Sequence, residues 1–126
     1  MTLANISFNE EGKAAIVHKG HIKQISTCIS DPTKSVREAS TLLLCSLAQI
    51  NQGKIEILDF CAFGEIEQLL AEDPPTVLNA VQLIANLAEH PHGRELASEI
   101  SGKLDTIDSI ERKYIDETLE VIRWKP

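Results

Sequence analysis

Between Gly20 and Ala48 the apolar residues fall in two runs of helical spacing, hinged at Ser30-Asp31-Pro32. In the second run Val36, Ala39, Ser40, Leu43, Leu44 and Leu47 occupy one face of a helix, a pattern incompatible with the period of two of a strand. Ser35, with Glu38 three residues on, reads as a capping box at its start. Pro32 lies upstream, where it interrupts no helical hydrogen bond. The same face returns 40 or 41 positions later at Thr76, Val77, Ala80, Val81, Ile84, Leu87 and Ala88. Gly12-Lys13, Gly53-Lys54 and Gly93-Arg94 recur with spacings of 41 and 40, and the Leu-Ala pair recurs at 3–4, 47–48 and 87–88.

A period of about 40 residues with two or three helices per unit is the signature of a HEAT or armadillo solenoid. The expected fold is therefore all-α, a right-handed armadillo/HEAT-type superhelix of about three repeats in one domain, 1–126. Residues 1–12 read as the remnant of a preceding repeat, 13–52 and 53–92 as full repeats, and 93–126 as a C-terminal capping unit. Within the first full repeat, Lys13–Lys19 is a short helix with Ala14, Ala15, Ile16 and Val17 as burial candidates, stopped by Gly20. A second helix, Ile22–Ile29, buries Ile22, Ile25 and Ile29, and the long third helix follows. In the next unit Lys54–Phe63 carries Ile55, Leu58 and Cys61, Glu65–Ala71 carries Ile66, Leu69 and Leu70, and Pro75 opens the long helix that ends near Glu89. The last unit reads as Arg94–Ile100, a break at Gly102, Lys103–Ile110, and Glu111–Trp124. That final helix buries Ile115, Thr118, Leu119 and Ile122 under a charged outer face.

The 126 residues are 43% apolar but only 4% aromatic, which suits helices packed through Leu, Ile and Ala. The net charge of −7 is concentrated in residues 51–126. That acidic half disfavours nucleic acid or an anionic membrane as partner and favours basic protein segments. No apolar run approaches the roughly 18 residues of a membrane span, and no secretory signal opens the chain, so a cytoplasmic location is expected. Cys28, Cys45 and Cys61 read as reduced, largely buried thiols.

Catalytic and metal-binding patterns are weak. His18/His21 are split by Gly20, and His90/His92 flank a proline, with no further ligand at metal spacing. Gly53-Lys54 lacks the strand and the earlier glycine of a phosphate loop, and the recurring glycine-basic pairs read as loop glycines before solvated helix starts. No nucleophile–base set is spaced for catalysis. The chain is thus read as no enzyme, with no cofactor and no metal. Candidate binding positions are of three kinds. Leu3, Ile6 and Phe8 form an N-terminal edge expected to be covered by another chain. Trp124 stands at the C-terminal end. Asn5, Ser46 and Asn86 occupy equivalent places near the ends of successive third helices.

At Leu3-Ala4-Asn5-Ile6, Cys45-Ser46-Leu47-Ala48, Ala85-Asn86-Leu87-Ala88, Gly20-His21-Ile22 and Ser30-Asp31-Pro32 the chain resembles the armadillo family. In that family third helices line a concave groove whose asparagines bind extended peptides, a role the resemblance implies for Asn5 and Asn86. Ser46 departs from it. Importin-type receptors also carry tryptophans four residues before the asparagines; Met1, Leu42 and Gln82 stand there.

A narrower resemblance is to the radial spoke head 14 homologue family of ciliary axonemes, in its C-terminal part. It is carried by Glu11-Gly12-Lys13, Asp31-Pro32 with Val36 and Ala39, Gly53-Lys54, Leu78-Asn79-Ala80, Leu87-Ala88-Glu89 with Pro91, Gly93-Arg94 and Trp124-Lys125-Pro126. The resemblance implies a structural subunit of the axonemal radial spoke of a cilium or flagellum, bound to other spoke proteins. The alternatives are a generic armadillo adaptor for extended peptides and a cytosolic ciliary assembly factor. Members of the family are longer, so a shortened relative or a fragment of a larger protein is expected.

Overall fold

In the computed structural model, residues 10–105 and 112–123 are described, and among them every regular element is helical. In chain order these are α1 (Glu10–His18), α2 (Ile22–Cys28), α3 (Lys34–Leu47), α4 (Asn51–Phe60) and α5 (Phe63–Gln68), which continues as a 3-10 turn, Leu69–Ala71. Then come α6 (Pro74–Leu87), α7 (Pro91–Glu99), α8 (Ser101–Asp105) and α9 (Arg112–Arg123). The expected all-α class is thus observed.

Local chemistry sets several boundaries. Gly20 takes φ +74°, the left-handed conformation that costs a glycine nothing. Its N–H donates to the Val17 carbonyl (3.0 Å) and that of His21 to the Ile16 carbonyl (3.3 Å). These two bonds are a Schellman motif, and they end α1 where the sequence placed its stop. The start of α3 differs from expectation. Thr33, extended, is the N-cap, and its N–H is held by Asp31 Oδ1 at 2.8 Å. Ser35 lies inside the helix and makes no cap. The aspartate turn holds the N–H of the N-cap residue, and the N-cap side chain makes no capping bond.

α3 and α6 are both 14 residues long, and they form the main seam of the core. They run in the same direction, because their N-terminal ends are tied together and so are their C-terminal ends, as described below. The seam face of α6 is the expected one: Thr76, Val77, Ala80, Val81, Ile84, Leu87 and Ala88 are all buried. On α3, Leu43, Leu44 and Leu47 are buried as expected, but Val36 is half-buried and Ala39 exposed. Ser40 and Thr41 enter the core because their hydroxyls donate back to the carbonyls of Val36 (2.7 Å) and Arg37 (2.6 Å). α9 packs on α6 with Ile115, Thr118, Leu119 and Ile122 inward and Asp116, Glu117, Glu120 and Arg123 outward, as its pattern requires.

The helices expected to open each repeat depart most from expectation. α1, α4 and α7 each begin three residues before the predicted starts at Lys13, Lys54 and Arg94, so the boundaries drawn at 53 and 93 fall inside helices. Gly53 and Gly93 are not loop glycines. A Cβ on Gly53 would lie 2.0 Å from the Leu47 carbonyl oxygen, and one on Gly93 1.9 Å from that of Leu87. Each helix start therefore crosses the end of the long helix before it at a distance only glycine permits. This rotates the buried face. Gly53, Lys54 and Ile57 point inward on α4, whereas Ile55 is exposed and Leu58 only partly buried. On α1, Ile16 and Val17 are buried but Ala14 and Ala15 are exposed, since four consecutive residues cannot share one helical face. Gly102, expected to break the chain, sits within α8.

Candidate partner-binding surfaces

The C-terminal end of the α3–α6 seam is built around Asn86. Beyond α3, the backbone N–H groups of Ala48, Gln49 and Ile50 donate to Leu44, Ser46 and Leu47 and pass over the Cys45 carbonyl. A helix end leaves such carbonyls without intrahelical donors. Asn86 Nδ2 donates to this one at 3.0 Å from the neighbouring helix, and its Oδ1 accepts from Gln82 Nε2 at 3.2 Å. Asn86 is buried, and the sulfur of Cys45 lies 3.9 Å from its Nδ2. Burial pushes the Cys45 thiol up to about 12 and the Cys61 thiol likewise, the latter aided by the charge of Glu65. Cys28 is half-buried, and all three cysteines are free.

The N-terminal end is charged and wetter. The Arg37 guanidinium donates to the Asp31 (2.9 Å) and Pro32 (3.0 Å) carbonyls and forms a two-pronged pair with Glu72, with Nη2 3.3 Å from Oε2. Lys34 pairs with Asp73, the N-cap of α6. Hydrogen bonding from Arg37, with its charge and that of Lys34, holds the Glu72 carboxyl below the usual carboxylate range, and the same pair raises Arg37.

Two buried lysines replace the solvated helix starts expected from the sequence. Lys13 reaches Gln49, and Lys54, only 4% exposed, lies 3.6 Å from Glu89. In both, the lysine after a helix glycine reaches the segment just past one of the two 14-residue helices. The turn at His90-Pro91-His92-Gly93 also has more order than a loop. His90 Nδ1 accepts the His92 N–H at 3.2 Å, which caps α7, and Pro91 occupies its first turn.

Of the sequence candidates, Ser46 and Asn86 are described and both are buried, Asn86 with its carboxamide engaged within the chain. Asn5, Leu3, Ile6, Phe8 and Trp124 lie outside the described residues. Leu42 and Leu78 are exposed on the long helices, as are Ile55 and Phe60 on α4. Sequence reasoning missed these, together with the Cys45 carbonyl as the target of Asn86. The 40-residue recurrence of Ser46 and Asn86 was the available signal. Among the described residues no cluster of three or more His, Cys, Asp or Glu could hold a metal ion, and no helix is long and apolar enough to cross a membrane. No protein-family model matches the chain, and neither does any curated protein.

Proposed function

We propose that this chain is a short armadillo-type solenoid acting as a non-enzymatic scaffold subunit of the ciliary axonemal radial spoke, through protein–protein binding alone. The family assignment rests on the sequence resemblance. The observation that carries the scaffold reading is the use made of Asn86. A groove that binds extended peptides through an asparagine ladder offers the carboxamide to the ligand. Here its amide nitrogen holds the Cys45 carbonyl and its oxygen holds Gln82. The residue stitches two helices together, which favours a rigid scaffold over a peptide adaptor.

The test is affinity purification of the tagged chain from ciliated cells of its source organism, comparing salt-extracted axonemes with cytosol by mass spectrometry. Spoke stalk and head proteins are expected with the axonemal pool. Recovery from cytosol alone, with transport or signalling partners, would favour the assembly-factor reading. Leu3→Asp and Trp124→Ala are expected to release the chain from axonemes, and Asn86→Gln is not. The reverse pattern would restore the peptide groove.

A further inference from the structure

α1 and α4 pack side by side, and between them opens a cleft of about 400 Å³ lined by Ala14, Val17, His18, Ile50, Gln52 and Glu56. That volume is in the range of small-ligand sites. Glu56 is half-buried, and its Oε2 is shut off from water without a hydrogen-bond partner. It is the one such side-chain oxygen or nitrogen among the described residues. A carboxylate oxygen left in this way costs free energy that a donor would recover. The lysines on the two walls do not supply it, since Lys13 reaches Gln49 and Lys54 lies against Glu89.

We propose that this cleft is a docking site for the side chain of a single lysine on a partner protein, with Glu56 as its counter-ion. The walls match that side chain along its length. Ala14, Val17 and Ile50 present apolar surface to the methylene stem, which long cationic side chains bury readily. The Glu56 carboxylate and the Gln52 amide oxygen accept from the ammonium group, which has three donors and no acceptor. Oε2 is shut off from water as the side chain stands, so docking requires a change of Glu56 rotamer that turns the whole carboxylate into the cleft. The chain's net charge of −7 draws a basic partner segment in the same direction. The proposal rests on the protein-binding reading above but not on the axonemal partner, and it places part of the binding surface on the first helices rather than on the long ones.

The test is backbone-amide NMR of the full ¹⁵N-labelled chain titrated with acetyl-Gly-Lys-Gly-amide. Saturable shifts are expected at Ala14, Val17, His18, Gln52 and Glu56. The same peptide with its lysine acetylated, and so uncharged, is expected to give none. Glu56→Gln keeps the shape and is expected to weaken binding roughly tenfold or more. Ala14→Leu narrows the cleft, leaves the carboxylate in place, and is expected to abolish the shifts; dispersed spectra of both variants verify that they fold. Unchanged binding in Glu56→Gln, equal binding of the acetylated peptide, or no shifts at the cleft would overturn the proposal. Binding of n-butylammonium with the same midpoint as the peptide would also overturn it, by assigning the cleft to free amines. Lysine binding that holds while axonemal co-purification fails would locate the error in the radial-spoke reading and leave the cleft standing.

Discussion

At the N-terminal end of the α3–α6 seam Lys34 and Asp73 meet with more than half of each side chain in water (55% and 62% exposed). At the C-terminal end a neutral carboxamide is sealed against a carbonyl that, among the described residues, no backbone N–H reaches. Both ends join the same two helices, yet they contribute differently. Exposed ion pairs lose in side-chain ordering and solvent screening much of what they gain by attraction. A buried neutral hydrogen bond gains little beyond what water offered, but its removal strands a polar group in the core. The charged end thus sets register, and the neutral end resists separation of the helices.

Four substitutions bear on that difference, with expected effects that fall from the first to the last. Gly53→Ala forces a methyl group onto the Leu47 carbonyl, where helix backbone has little room to yield. A loss of about 3 kcal/mol or more in urea unfolding is expected; a loss near zero would mean that α4 does not cross the end of α3 so closely. Asn86→Ala strands the Cys45 carbonyl and is expected to cost about 2 kcal/mol by the same measurement. If instead it matched Glu72→Gln at the charged end, the asymmetry between the two ends would disappear. Gly64→Ala is the counterpart of Gly53→Ala, since nothing lies within 4 Å of its added Cβ. Thermal unfolding is expected to show stabilisation of about 0.5 kcal/mol, through a less flexible unfolded chain.

Glu72→Gln is expected to have the smallest effect, and one that fades with added salt. Its pH dependence has a definite sign. The folded carboxyl titrates below its unfolded value, so its contribution is present above the unfolded pKa and is lost as pH falls through the folded one. Stability curves of the parent and Glu72→Gln should therefore converge on acidification below the ordinary carboxylate range. Curves that stay parallel through that range and below it would show that Arg37 does not stabilise the charged form.

α6 was legible because its face is written in unambiguous aliphatic residues with a proline start; each of its seven expected seam positions, Thr76 to Ala88, is buried. α4 was not. Glycine followed by lysine suggests a loop and a wet helix start, and the reason for both residues lies elsewhere in the chain. Gly53 answers to the Leu47 carbonyl, and Lys54 is matched by Glu89, 35 residues on. A start at Lys54 turns Ile55 inward, whereas the observed start at Asn51 buries Ile57. The binding candidates divide for the same reason. The 40-residue recurrence from Ser46 marks Asn86, but a single sequence does not reveal that its carboxamide completes the end of a neighbouring helix. The cleft at Glu56 was invisible, because its walls come from segments some 40 residues apart.

The sealed thiols provide a gauge of this architecture. Thiolate, not thiol, is what alkylating reagents attack, and Cys45 and Cys61 are pushed up to about 12 by burial. Cys28, half-buried, is the most open to modification while the fold is intact. Cys45 becomes reactive when its surroundings open, and it sits beside the bond that closes the seam. The rate at which Cys45 takes up label therefore clocks the breathing of α3 against α6, without any probe added to the chain.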